Sequence, residues 1–150
     1  MPTLHTGDLA PSFRLQDEHG TEISLTQFKD VAPVVLIFYP GDMTPGCTMQ
    51  LCSIRDEWKA FKEGGIQVFG VNGGSAGSHQ KFKEMHKLPY PLLIDTNKKV
   101  SEAYDALFSF FGIKIIRRTV IGIDKTGTVR YMKRGMPKTS DILKAMHKYI

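Results

Sequence analysis

The sequence predicts an α/β domain, a mixed central sheet flanked by helices. Two observations predict it. Short apolar, β-branched runs alternate with stretches of helical spacing across residues 34–104. Two further strand-like runs joined by a tight turn then add a hairpin, and a last helical stretch closes the chain. The 150 residues suit one domain spanning 1–150, and no repeat, low-complexity tract or linker divides them.

Each element has a local reason. Phe13, Arg14 and Leu15 alternate apolar and polar like a short strand, and Glu18-His19-Gly20 turns the chain. Residues 23–28 suit a short helix. Residues 34–39, Val-Val-Leu-Ile-Phe-Tyr, are β-branched, aromatic and unbroken, which reads as a central strand buried on both faces. Pro40-Gly41-Asp42 stops it. Met49, Leu51, Cys52, Ile54, Trp58 and Phe61 then recur at helical spacing, and Gly64-Gly65 ends that helix.

Residues 66–71 form a second buried strand, followed by an Asn72-Gly73-Gly74-Ser75 loop and a helix capped by Ser78 and carrying Phe82 and Met85. Leu88-Pro89-Tyr90-Pro91 breaks the chain before a third short strand at 92–94. A helix around 100–104 follows. Residues 119–123 and 129–132 pair through a Lys125-Thr126-Gly127 turn, and Ser140 caps a last helix to Tyr149. The apolar cluster at 106–111 has no clear period. It suits an entrance for an apolar substrate, a docking surface, or core beneath a loop. This order of elements is one that a thioredoxin-like domain has.

Composition narrows the function classes. The net charge is +5, but no run of five basic residues occurs, which describes a solvated surface rather than a specific nucleic-acid site. The longest apolar run, 34–39, falls far short of the roughly 20 residues of a membrane span, so no membrane partner is expected. The first residues carry no basic region followed by an apolar stretch, so a cytoplasmic protein is expected. Cys47 and Cys52 are the two cysteines. Two ligands cannot close a zinc site, and C-x4-C is not the C-x2-C of zinc ribbons. The five histidines are scattered and suit surface or capping roles. The glycines at 70–74 lack the spacing and the lysine of a phosphate loop. No metal or cofactor is therefore expected. In a reducing compartment a lone nearby cysteine pair points to redox chemistry.

The chemistry concentrates in residues 39–48, Tyr-Pro-Gly-Asp-Met-Thr-Pro-Gly-Cys-Thr. A buried strand ends, a Pro/Gly-rich loop follows, and Cys47 falls in the first turn of the next helix. The first N–H groups of a helix lack internal partners and its dipole is positive there, so both favour a thiolate. A thiolate is the nucleophile, and its first oxidation product is a sulfenic acid.

Pro40-x3-Thr44-x2-Cys47 resembles the P-x-x-x-T-x-x-C motif of peroxiredoxins. The longer stretch, with Cys52 and Arg55-Asp56, resembles the PrxQ or bacterioferritin comigratory protein subfamily. Asp8-x-Ala10-Pro11-x-Phe13, Ser75-x-x-Ser78-His79-x-x-Phe82, the 88–95 segment and Arg118 six residues before Asp124 continue the likeness in order.

The resemblance implies the peroxiredoxin form of the thioredoxin-like fold and a thiol-specific peroxidase acting on hydrogen peroxide and organic hydroperoxides. It implies that Cys47 attacks the peroxide and that Cys52 resolves the sulfenic acid as a disulfide. Thr44 would hydrogen-bond thiolate and peroxide, Pro40 would shield the cysteine from water, and Arg118 would stabilise the developing charge. It also implies thioredoxin or a similar dithiol as reductant, no cofactor, and a monomer. Arg117, on the opposite face, is expected to meet solvent.

In an ideal helix, residues i and i+5 have Cα atoms about 8–9 Å apart on largely opposite faces, whereas a disulfide needs them within about 7 Å. The first turns of that helix would have to unwind for the pair to bond. The chain departs from the family pattern at Gln50, where Glu is common, and at Val120, where Thr is usual. Two other readings remain at this stage, a dithiol–disulfide oxidoreductase and a redox sensor.

Overall fold

The computed structural model describes residues 3–150. Its strands are β1 (Arg14–Gln16), β2 (Glu22–Ser24), β3 (Val34–Phe38), β4 (Gln67–Asn72), β5 (Leu92–Ile94), β6 (Leu107–Phe110), β7 (Ile113–Ile116), β8 (Thr119–Ile123) and β9 (Val129–Arg134). Its helices are α1 (Pro45–Asp56), α2 (Trp58–Glu63), α3 (Ala76–His86), α4 (Lys99–Ala103) and α5 (Thr139–His147). Seven strands form one sheet in the order β2-β1-β5-β4-β3-β8-β9, while β6 and β7 form a separate ribbon. The β3–β4 and β4–β5 pairs are parallel and the others antiparallel. The sheet is mixed and flanked by helices, as the sequence predicts.

The unbroken apolar run of β3 is explained by burial of both pleat faces. Val35, Ile37 and Tyr39 pack with Cys47, Leu51 and Ile54 of α1, Phe82 of α3 and Met146 of α5. Val34, Leu36 and Phe38 pack on the other side with Phe69, Ile121 and Tyr104.

Several boundaries differ from the sequence reading. Residues 23–28 begin as strand, because Ile23 pairs with Leu15 across β1–β2, and only Leu25–Phe28 form a helical turn. The helix after Thr44 divides at Glu57, whose backbone leaves the helical range at φ −104° and ψ 17°. Ser75, not Ser78, caps α3: its hydroxyl accepts the Ser78 N–H at 3.1 Å. Ser140 lies inside α5, which starts after an extended Lys138. The 106–111 cluster is not core beneath a loop. Its buried end is Ala106, and the rest joins β7 in the separate ribbon with Phe108, Phe110 and Phe111 exposed. No helix among the described residues is long and apolar enough to cross a membrane.

Candidate active site

Beyond β3 the chain runs through Tyr39 and Pro40 into a loop that turns at Met43, held in the left-handed region at φ 67°. A non-glycine residue there is uncommon and concentrates at functional loops. Thr44 then supplies the extended N-cap of α1, and Pro45 follows at the first helical position, where its missing N–H costs nothing. The Thr44 hydroxyl does not cap the helix. It donates to the Gly41 carbonyl at 3.3 Å, and the residue is exposed.

Cys47 is the third residue of α1, wholly buried and unbonded. The bond from the Thr48 N–H to the Thr44 carbonyl (2.9 Å) opens the helical ladder beside it. The positive end of the helix therefore lies at the sulfur.

Arg118 comes from the far side of the sheet. The antiparallel register Phe38↔Thr119 sets the start of β8 beside the end of β3, so the residue before Thr119 meets the start of α1. The guanidinium lies against Gly46, where a Cβ would sit 2.6 Å from Nη2. Its Nη1 donates to Gln50 Oε1 at 3.2 Å, and Gln50 Nε2 donates to the Gly135 carbonyl at 3.5 Å. Gln50 is buried. The arginine is thus held along the turn that contains Cys47. Its holder is a neutral amide, and among the described residues Arg118 has no carboxylate ion-pair partner. Its charge is left for an anion at the site. Arg117 is exposed, in the solvent role expected of it.

The structure gathers Thr44, Cys47 and Arg118 at one helix start. Pro40 lies on the exposed rim of the same loop. Cys52 does not join them. It sits further along the same intact helix, partly buried, as a free thiol. Burial pushes the Cys52 thiol up, Arg55 pulls it down and Asp56 adds to the rise, leaving a net increase. The carbonyl of neighbouring Leu51 accepts the buried Tyr90 hydroxyl at 2.6 Å, which ties this part of α1 to the chain before β5.

One group of site residues escaped the sequence reading. Asp42, in the loop before Cys47, accepts from the Tyr39 hydroxyl (2.7 Å) and Asn72 Nδ2 (3.3 Å) through Oδ1. Its Oδ2 accepts from the Ser78 hydroxyl (2.7 Å) and meets His79 Nδ1 at 2.7 Å. His79 is wholly buried, and its Nε2 faces the Leu93 carbonyl at 3.0 Å. Both ring nitrogens are engaged by oxygen atoms, which fixes the ring between the loop before Cys47 and β5. Burial works against ionising Asp42, but the hydrogen bonds from His79, Ser78 and Tyr39 outweigh it and hold the carboxyl below its ordinary range. His79 is therefore neither a surface nor a capping histidine. The contact that defines it spans 37 positions, beyond the reach of local spacing.

A model of the AhpC/TSA family matches residues 6–132. The chain belongs to that family. It is 44% identical over 126 residues to peroxiredoxin Q, chloroplastic, of Oryza sativa subsp. japonica and 43% over 124 residues to that of Suaeda salsa. These alignments cover 84% and 83% of the chain and 57% of each plant protein, so the chain spans little more than half their length. A crystal structure of peroxidoxin BcpB from Mycobacterium tuberculosis superposes with a TM-score of 0.89 at 30% identity, covering 97% of both chains. A PrxQ structure from Xylella fastidiosa gives 0.89 at 22% identity over 99% and 98%, a likeness of fold. The PrxQ resemblance read from residues 8–124 and the peroxiredoxin form of the thioredoxin-like fold stand on these matches.

Proposed function

We propose that residues 1–150 form one thiol-dependent peroxidase domain with Cys47 as its nucleophile. The observation that carries this reading is the arrangement at the start of α1: a buried cysteine in the first turn, beside an arginine that no carboxylate among the described residues neutralises. The Cys47 thiolate attacks one oxygen of a hydroperoxide. The O–O bond breaks, the sulfur becomes a sulfenic acid, and the second oxygen leaves as water or an alcohol after taking a proton. Arg118 stabilises the charge that spreads over the two oxygens, and the Thr44 hydroxyl turns from Gly41 to the peroxide. The sulfur is covered in this state, so the exposed residues Met43 and Thr44 give way to admit substrate while Asp42 keeps the loop anchored.

The Cys52 thiol then condenses with the sulfenic acid, forming an S–S bond and releasing water, once the first turns of α1 have unwound. A dithiol of thioredoxin type reduces the disulfide by exchange. Substrates are hydrogen peroxide and organic hydroperoxides, the chain is a monomer, and its compartment is the cytoplasm.

The test is peroxide consumption by the wild type, Cys47→Ser and Cys52→Ser with thioredoxin and its reductase, or with dithiothreitol. Loss of activity in Cys47→Ser with both reductants, and in Cys52→Ser with thioredoxin alone, is expected. Full activity of Cys47→Ser overturns the reading, and normal thioredoxin-dependent cycling of Cys52→Ser overturns the resolving step.

A further inference from the structure

The ribbon of β6 and β7 has two unlike faces. The register pairs Leu107 with Ile116 and Ser109 with Lys114 on one side, Phe108 with Ile115 and Phe110 with Ile113 on the other. The first face is anchored to the body. Ile116 is buried, Leu107 packs against the cluster that holds Leu36, Phe38 and Tyr104, Lys114 pairs with Glu102 at 3.8 Å, and Lys98 Nζ donates to the Lys114 carbonyl at 2.8 Å. The second face consists of four apolar side chains, all exposed. At the tip Phe111 is 89% exposed and sits at φ 49°, followed by Gly112 at φ 79°. A turn of this handedness favours Asn, Asp or Gly at its first position. A phenylalanine placed there, in water, is unfavourable both in backbone conformation and in hydration.

The charge around the ribbon names the occupant. Lys98 and Lys99 lie along its anchored face beside Lys114, Arg117 follows its last residue, and none of Lys98, Lys99 and Arg117 has a carboxylate partner among the described residues. The nearby carboxylates, Glu102 and Asp105, are already paired with Lys114 and Arg134. A second copy of a chain carrying +5 would bring like charge against this rim. An anionic lipid surface brings the opposite charge and an apolar layer of the depth that an aromatic tip can enter. Strand β7 also leads directly through Arg117 to Arg118 of the site.

We propose that the Phe108–Phe111 tip and the outer face of this ribbon seat the protein on anionic phospholipid bilayers. The contact is peripheral and needs no spanning helix, so it revises the sequence expectation of no membrane partner. Docking itself is independent of the peroxidase reading. Its consequence, that hydroperoxides of membrane lipids are presented beside Arg118, rests on that reading.

The test is co-sedimentation with vesicles of phosphatidylcholine alone or mixed with phosphatidylglycerol. The wild type is expected to bind the mixed vesicles, to bind them less as salt rises, and to bind neutral vesicles weakly. The double variant Phe110→Ser, Phe111→Ser is expected to lose at least about tenfold in affinity. With dithiothreitol as reductant, turnover of hydrogen peroxide stays at the wild-type level in this variant, while turnover of a phospholipid hydroperoxide held in mixed vesicles falls by about the same factor as binding. Absence of wild-type binding, equal binding to neutral vesicles, undiminished binding by the variant, or self-association in sedimentation equilibrium that the variant abolishes each overturns the proposal. Binding without any peroxide turnover leaves docking intact and defeats the peroxidase reading instead.

Discussion

Replacing Tyr90 with Phe tests whether α1 must unwind for the two cysteines to meet. The hydroxyl is buried and donates to the Leu51 carbonyl, one residue before Cys52. Burial holds its pKa well above the usual phenol value, so it remains a donor at any working pH. Phe keeps the ring and its packing on Trp58, 5.7 Å away between centroids. The net loss is one hydrogen bond, about 0.5–1.5 kcal/mol. The bond exists only while Leu51 is helical, so the intact form loses that energy relative to the unwound form. A loss of about 1 kcal/mol raises the unwound population about fivefold.

Rapid mixing with peroxide, followed by acid quench and thiol counting, gives the rate of disulfide formation after the sulfenic acid appears. The expected result is an increase of about fivefold, with the melting temperature lower by about 2–4 °C. A lowered melting temperature with an unchanged resolution rate would refute the reasoning, because α1 would then not open as far as Leu51.

Arg118→Met is expected to slow Cys47 oxidation by about 10²–10³, the usual cost of removing a fixed donor to a developing charge, with little change in melting temperature; stopped-flow peroxide kinetics read it. Gly46→Ala separates site from stability. A Cβ there meets Arg118 Nη2 at 2.6 Å, so the mobile guanidinium must swing away and oxidation slows at least about tenfold, while helical alanine replaces glycine and thermal stability does not fall. Folding stability should fall with acid. In Asp42, Glu18 and Asp124, burial opposes ionisation, but hydrogen bonds outweigh it, from His79, Lys83 and Thr126 respectively among others. Groups with lowered folded pKa values contribute fully above the unfolded carboxylate range near pH 4 and lose that contribution as pH falls through the folded values. Thermal melts from pH 7 downward should show this loss. Asp42→Asn should flatten the slope while costing about 1.5–3 kcal/mol at neutral pH, because it removes the carboxylate that Tyr39, Asn72, Ser78 and His79 all meet.

The sequence shows most clearly what local physics decides. Strand β3 is legible because both its faces are buried, and Cys47 because a Pro/Gly loop and a helix start place it. The cap of α3 is misplaced by one turn because Ser75 and Ser78 both suit an N-cap, and only the bond from the Ser78 N–H to Ser75 distinguishes them. The ribbon is obscured because its outward face is apolar, which removes the contrast that alternation relies on. Gln50 departs from the Glu common in the family, yet its amide oxygen still receives Arg118 across 68 positions, a contact no local spacing shows. The Asp42–His79 pair depends on a loop, a strand end and α3 converging, and no short window contains all three.

The most direct test adds one equivalent of hydrogen peroxide to the reduced protein and reads the intact mass. The wild type should lose two hydrogens and both free thiols. Cys52→Ser should gain one oxygen that a sulfenic-acid reagent captures, and Cys47→Ser should remain unchanged over the same interval. Oxidation of Cys47→Ser as fast as the wild type would contradict the account, because peroxide would then be reduced without the thiol at the start of α1.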